Sequence, residues 1–313
     1  LHLIDATLRE GLQACRVAVR PEAAAALVAL LEAVGIRHIE CTHAGARPEW
    51  DAILAAVLGA RRQAQVMTHA RARESDIRAA IASGADGVGI FLGVNRQTIE
   101  ARTPGRSRED LLAMARESIV VAKQAGLTVR YSIEDASRTE PGDLWRACEV
   151  AVEAGADRLC CPDTLGLLEP DQTRALFAEL RRRFPGVALE AHLHNDRGLA
   201  VANALAALDG GADFVSTSVN GIGERSGITD TCVLIANLVH RGVGARFDAS
   251  LLPALSQAAS ETLGEPVAPR HPVTGAWAFW HQCDLHRKAW TRSPSSYEWI
   301  EPPRLGRISE APA

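Results

Sequence analysis

From the first residues nearly to residue 240, short apolar runs alternate with Ala- and Leu-rich stretches of helical periodicity. The strand candidates are Leu3 to Thr7, Ile36 to Thr42, Gln65 to His69, Gly87 to Leu92, Leu127 to Ile133, Arg158 to Cys161, Ala188 to His194 and Phe214 to Val219. Between them, Pro21 to Ala33, Glu109 to Ala125, Asp171 to Arg183 and Leu199 to Leu208 repeat apolar residues at helical spacing. Pro21 and Pro170 suit a helix's first turn. The phrases GIRHIE, GADGVGI, GLTVRYS, GADRLCC and GADFVST each place a Gly where a helix stops and a strand begins. Eight strand–helix units predict a parallel sheet, because every parallel crossover needs a helix to return the chain. The α/β fold expected over residues 1–242 is therefore a (β/α)8 TIM barrel. A doubly wound open sheet competes, but no GxGxxG follows the first strand. After residue 242 the pattern changes: Pro becomes frequent, and Trp277, Trp280, Trp290 and Trp299 fall in one segment. Residues 243–313 read as a C-terminal extension that packs on, or reaches over, a barrel mouth.

Composition narrows the function. Hydrophobic residues at 47%, charged residues at 23% and a net charge of -4 describe a globular protein and argue against a nucleic-acid binder. No run approaches the ~20 apolar residues a membrane helix needs. Asp5, Arg9 and Glu10 interrupt the N-terminus, which does not read as a signal peptide. The seven cysteines show no zinc-finger spacing, and Cys160 and Cys161 lie in an apolar run, so buried thiols in a reducing cytoplasm are expected.

In a barrel enzyme the reactive side chains sit at the C-terminal ends of the strands. Here those ends carry Asp5 to Gln13, His69, Arg130 to Asp135, Asp163 and Thr164, His192 to Asp196, and Asn220 to Arg225. His192 and His194 are two apart on a strand, so both imidazoles face one side. Strands seven, eight and one adjoin in a closed barrel, so Glu10 and Asn220 can converge with them on one divalent ion. A mixed nitrogen and oxygen set suits Zn, Mn, Mg or Co alike. The alternative is a set of ordinary polar rim residues.

The segments DATLREGLQ, HLHNDRGLAVAN and NGIGERSG resemble the signatures of the homocitrate synthase and 2-isopropylmalate synthase family, relatives of 3-hydroxy-3-methylglutaryl-CoA lyase. The resemblance runs from residue 2 to about 305. It implies condensation of acetyl-CoA with a 2-oxo acid, with Glu10, His192, His194 and Asn220 serving the metal and Arg9 stabilising the enolate oxygen. It also implies that Glu224 works with His286 and Tyr297 of the C-terminal segment, commonly of a partner subunit in a homodimer. His281 competes with His286 for that role.

The acceptor pocket is similar to that of homocitrate synthases at His69, Arg130 and Ser132, which there hold the distal carboxylate of 2-oxoglutarate. Gln13 and Thr164 join them as substrate-binding candidates. A guanidinium at a strand end is a natural fork for a second carboxylate, the alternative being a structural ion pair with a carboxylate such as Glu134. The chain departs from the family at Leu12 and in the loop Cys41 to Pro48, where His43 and Arg47 could add positive charge suited to oxaloacetate or a phosphonopyruvate. Without a C-terminal regulatory domain after the cap, feedback control by an amino acid is not expected. Two other readings compete: a carbon–carbon lyase, whose mouth cysteine Cys232 does not match, and a binding protein on a degenerate barrel.

Overall fold

A computed structural model describes residues 1–14 and 18–309. Eight parallel strands close into a barrel in sequence order: β1 (His2–Asp5), β2 (His38–Glu40), β3 (Gln65–Arg71), β4 (Gly87–Leu92), β5 (Thr128–Ile133), β6 (Arg158–Asp163), β7 (Ala188–Leu193) and β8 (Phe214–Thr217). Closure is made by β1 against β8, paired from His2 with Phe214 to Asp5 with Thr217. The expected barrel is thus present, and no helix among the described residues is long and apolar enough to cross a membrane.

The period of two sorts each strand. On β7, Leu189, Ala191 and Leu193 join the apolar shell under the helices, while Glu190 and His192 bond or pair with residues across the barrel interior. The N-terminal end of the interior is closed by rings: His2 stacks on Phe214 at 4.8 Å, His38 meets both edge-on, and the Arg158 guanidinium lies 3.7 Å over Phe214. Burial and the nearby Arg158 push the His38 pKa down to about 4, so this plug is uncharged on its histidines.

Helix ends set the spacing of the units. The helix Pro21–Val34 stops at Gly35, whose φ of 107 is left-handed, and a Cβ there would sit 2.4 Å from the Arg246 carbonyl. The first strand is shorter than the apolar run predicts, because Asp5 ends it and starts a helical turn: its carboxylate accepts from the Thr7 N–H and hydroxyl. Thr7–Ala14 is consequently a helix, and Arg9 and Glu10 project from it rather than from a strand end. Beyond residue 242, the helix Leu252–Leu263 still belongs to the barrel's packing, burying Leu252, Leu255, Ala259 and Leu263. The segment after it carries the helix Asp284–Arg292, which buries none of its residues.

Candidate active site

Three ligand-type side chains meet at the C-terminal mouth. Donor atoms of Glu10, His192 and His194 all lie within 4.8 Å of one another, and all three residues are buried. The His192 Nε2 is 3.5 Å from the Glu10 carboxylate. Burial, with Arg9 and His194 nearby, holds the His192 pKa well below its usual value. Burial likewise lowers that of His194 against the opposing pull of Glu10. Both rings are therefore neutral near pH 7 and offer lone pairs. The buried His194 Nδ1 has no hydrogen-bond partner, an orphan that a metal or a second-sphere acceptor would satisfy. One carboxylate, two neutral imidazoles and an unpartnered ring nitrogen fit a divalent cation.

The loop after β8 seals this cluster. Gly227 donates to the Glu224 carbonyl, His194 bridges antiparallel to Ile228, and the Glu224 N–H approaches the Glu10 carboxylate at 3.5 Å. Only glycine fits at 227, where a Cβ would fall 1.6 Å from the Gly221 carbonyl oxygen. Arg225 clamps the loop to its neighbours through two bonds to Asp196, at 2.7 and 2.9 Å, and one to the Thr164 carbonyl. Glu224 itself is exposed and lines the mouth.

Asn220 is placed differently. Its backbone is left-handed, its Nδ2 donates to the Ser256 carbonyl at 2.9 Å, and its Oδ1 accepts from the Ser256 hydroxyl at 2.6 Å. Both ends of the amide are thus engaged by the helix Leu252–Leu263.

Beneath the cluster runs a chain of buried charges that sequence reasoning did not find. Arg9 pairs with both Glu10 and Glu40; Glu40 pairs with Arg130 at 2.5 Å; Arg130 reaches Glu190 at 2.9 Å; and Glu190 holds Arg158 at 3.0 Å. Burial alone would raise the Glu40 pKa, but Arg130 and Arg9 outweigh it and hold the carboxylate ionised well below the usual range. Glu190 is lowered in the same way by Arg130 and Arg158, and Ser216 adds a hydrogen bond at 2.7 Å. His69 bonds Glu40 through Nδ1 at 2.7 Å, yet burial depresses its pKa to about 3. The same Nδ1 lies 2.9 Å from an Arg130 amino group, so the ring sits between the carboxylate and the guanidinium. Gly89 leaves the room Arg130 needs, since a Cβ there would lie 2.3 Å from the guanidinium.

Arg130 is therefore 2% exposed and paired with Glu40 and Glu190, whereas Glu134, the ion-pair partner the sequence suggests, binds Arg102 instead. Ser132, His69, Thr164 and Gln13 all line the same cavity of about 220 Å3 as Arg9, Glu10, His192 and His194. Gln13 also lies 3.0 Å from His43, which extends the mouth toward the loop after β2. The Thr164 hydroxyl accepts from the Asp135 N–H at 2.9 Å.

The C-terminal candidates are elsewhere. No residue beyond Arg225 lines this cavity among the described residues. His286 and Tyr297 are exposed, their rings stacked 4.0 Å apart. His281, the competing histidine, is buried and stacked on Trp290 at 5.2 Å, with its Nε2 3.9 Å from Glu298. Cys232 is buried in the helix Thr231–His240 and offers no thiol to the mouth.

A family model described as HMGL-like matches residues 1–258. The chain is 36% identical to the homocitrate synthase of Sulfurisphaera tokodaii over 97% of its own length and 67% of the relative's. It is 33% identical to that of Sulfolobus acidocaldarius over 97% and 66%. The chain thus spans about two thirds of the length of the curated relatives it matches. Among solved structures, a hydroxymethylglutaryl-CoA lyase from Pseudomonas aeruginosa superposes with a TM-score of 0.75 at 21% identity, covering 85% of this chain and 94% of that one. The carboxyl transferase domain of Rhizobium etli pyruvate carboxylase gives 0.69 at 17% identity, over 85% of this chain and 47% of that one. At these identities the structural likeness shows the barrel fold.

Proposed function

Because this chain belongs to the HMGL-like family, in its homocitrate synthase branch, and is an acyltransferase-type enzyme of the acetyl-CoA-condensing kind, we propose that it joins acetyl-CoA to a 2-oxo acid bearing a second anionic group, 2-oxoglutarate first among them. The observation that carries this reading is the charge of the site. In the buried chain three guanidiniums, Arg9, Arg130 and Arg158, balance three carboxylates, Glu10, Glu40 and Glu190. A divalent ion held by Glu10, His192 and His194 would leave this buried chain with two positive charges, which favours an acceptor with two anionic groups over one with a single group.

That ion would polarise the keto carbonyl of the acceptor as a Lewis acid. Asn220 would add its oxygen on exchanging the Ser256 hydroxyl for it. Arg9, fixed by Glu10 and Glu40, is aimed to hold the developing enolate oxygen of the donor, where a preorganised cation lowers the barrier most. Glu224, with His286 and Tyr297, takes the methyl proton; the carbanion attacks the keto carbon, whose oxygen takes up a proton to become the hydroxyl, and water then cleaves the thioester to release CoA as the free thiol. His286 and Tyr297 do not line their own mouth cavity, and on this reading they serve the barrel of a second copy, which would also give the exposed Trp277, Trp280 and Trp299 a surface to cover. His69, Ser132 and Arg130 take the distal anionic group, Arg130 by exchanging part of its contact with Glu190 or Glu40.

Free-thiol release from acetyl-CoA across a panel of 2-oxoglutarate, oxaloacetate, phosphonopyruvate, pyruvate and 2-oxoisovalerate tests the reading. The dianionic acceptors should lead; a preference for 2-oxoisovalerate would show the pocket assignment wrong.

A further inference from the structure

The mouth cavity, at about 220 Å3, is below the ~300–1,000 Å3 of sites that enclose a drug-sized ligand. It can take a small acid and an acetyl group, but not a coenzyme A carrier. A second cavity of about 810 Å3 opens beside it, and Phe91 and Glu134 line both. It lies among the ends of β3 and β4 and the helices Glu74–Ala82, Arg96–Arg102 and Arg108–Gln124.

Its lining combines positive charge with apolar surface. Five arginines contribute, against three glutamates. Arg71 pairs with Asp76 at 2.7 Å, Arg78 with Glu74 at 2.6 Å, and Arg102 with Glu134. Among the described residues Arg73 and Arg106, both exposed, form no ion pair, and Glu117 is the lining carboxylate left unpaired. Ile77, Met114 and Val121 supply the apolar part. The carboxylate on the shared wall, Glu134, is already neutralised by Arg102, so an anionic chain passing it meets no bare negative charge.

We propose that this groove holds the 3′-phosphorylated adenosine diphosphate end of the acetyl-CoA donor, an inference that rests on the acetyl-CoA reading of the mouth. Arg73 and Arg106 take phosphates, for which a guanidinium fork is the matched partner. Ile77, Met114 and Val121 pack the base, and the pantetheine arm runs past Phe91 and Glu134 to deliver its thioester to Arg9. Arg73 and Arg106 lie just before the helices Glu74–Ala82 and Arg108–Gln124, at the lining of a cavity that shares Phe91 and Glu134 with the site.

The test compares the whole donor with a truncated one. The double variant Arg73→Glu/Arg106→Glu should raise the KM for acetyl-CoA about tenfold or more and weaken CoA binding, measured by calorimetry, to a like extent. It should leave kcat/KM with S-acetylpantetheine, which lacks the nucleotide, within about twofold of wild type. Adenosine 3′,5′-bisphosphate should compete with acetyl-CoA in wild type and lose that effect in the variant, and Arg73→Lys/Arg106→Lys should recover most of the binding. An unchanged KM for acetyl-CoA, or equal loss with both donors, overturns the groove assignment. A wild-type protein that neither binds CoA nor releases it with any acceptor overturns the functional reading instead.

Discussion

The barrel mouth and the C-terminal segment both gather aromatic and ionisable residues, but they treat them in opposite ways. At the mouth Arg9, Glu10, Glu40, Arg130 and Glu190 are all nearly sealed from solvent, and each has an oppositely charged partner at bonding distance. In the tail Trp277, Trp280, Trp299 and Tyr297 are 39–49% exposed, and the helix Asp284–Arg292 has no buried residue. Polar groups in the first region are matched within the chain. Aromatic groups in the second, such as Tyr297 on His286 and Trp299 on His240, are only partly covered within the chain, and a partly exposed aromatic patch is a common mark of an interaction surface. On the proposed function, the difference separates what one chain completes from what a second copy would supply.

The largest effect that would break the comparison is at the ligand cluster. His194→Ala should keep its fold by circular dichroism, lose the divalent ion by elemental analysis, and lose more CoA release than the roughly 10–100-fold typical of outer-shell changes. A metal-free protein of full activity would remove the cluster from the chemistry.

Complementation sharpens the other half. Glu10→Ala and His286→Ala should each be inactive alone and regain a fraction of wild-type activity when mixed under subunit exchange, because one heterodimer site then carries no lesion. If exchange is confirmed and activity stays absent, His286 serves its own barrel or neither.

Stability distinguishes the regions next. Glu40→Ala removes one carboxylate from between Arg9 and Arg130, and stranding those cations should cost about 3–5 kcal/mol by denaturant unfolding. Trp277→Ala, at an exposed position, should change the monomer's unfolding little while weakening self-association. Gly89→Ala is gentler, about 1–3 kcal/mol, because Arg130 must yield to the new methyl. Its clearer signature is a KM rise for 2-oxoglutarate larger than that for 2-oxoisovalerate.

The smallest effect lies at the tail's attachment. His271 bonds Asp230 at 2.8 Å and Thr274 at 2.9 Å, and although burial opposes its charge, Asp230 raises its pKa above the usual value. The stabilisation is fully present below the unfolded pKa of about 6.5 and fades as pH rises through the folded value. His271→Gln should therefore lower Tm more at pH 5.5 than at pH 8.5, and equal losses at both would mean the latch does not depend on charge.

Periodicity made most of the scaffold legible. Gly87–Leu92 is the β4 found, and seven other strands fall within a few residues of their apolar runs. The run Leu3 to Thr7 is cut short at Asp5, because a short polar side chain that bonds two residues ahead starts a helix regardless of hydropathy, and Ile36 to Thr42 and Phe214 to Val219 also shrink, to His38–Glu40 and Phe214–Thr217. His192 and His194 could be read from strand alternation, and the same rule applied two residues earlier marks Glu190 as their companion. Glu40 offered no such signal. Its partner Arg130 lies 90 residues away, and only closure of the barrel makes neighbours of opposite strands. Of the tail only the composition was legible, since nothing in one sequence states which surface a segment will cover.

The balanced interior also constrains how such an enzyme can change over generations. Replacing any one of Glu40, Arg130, Glu190 or Arg158 leaves an opposite charge stranded in a dry barrel, so a lineage shifting its acceptor through these positions must pass an unstable intermediate or alter two sites together. Arg73 and Arg106, on the open groove, carry no such penalty. Preference for the donor's far end can drift one substitution at a time, while the choice of acceptor moves only in compensated steps.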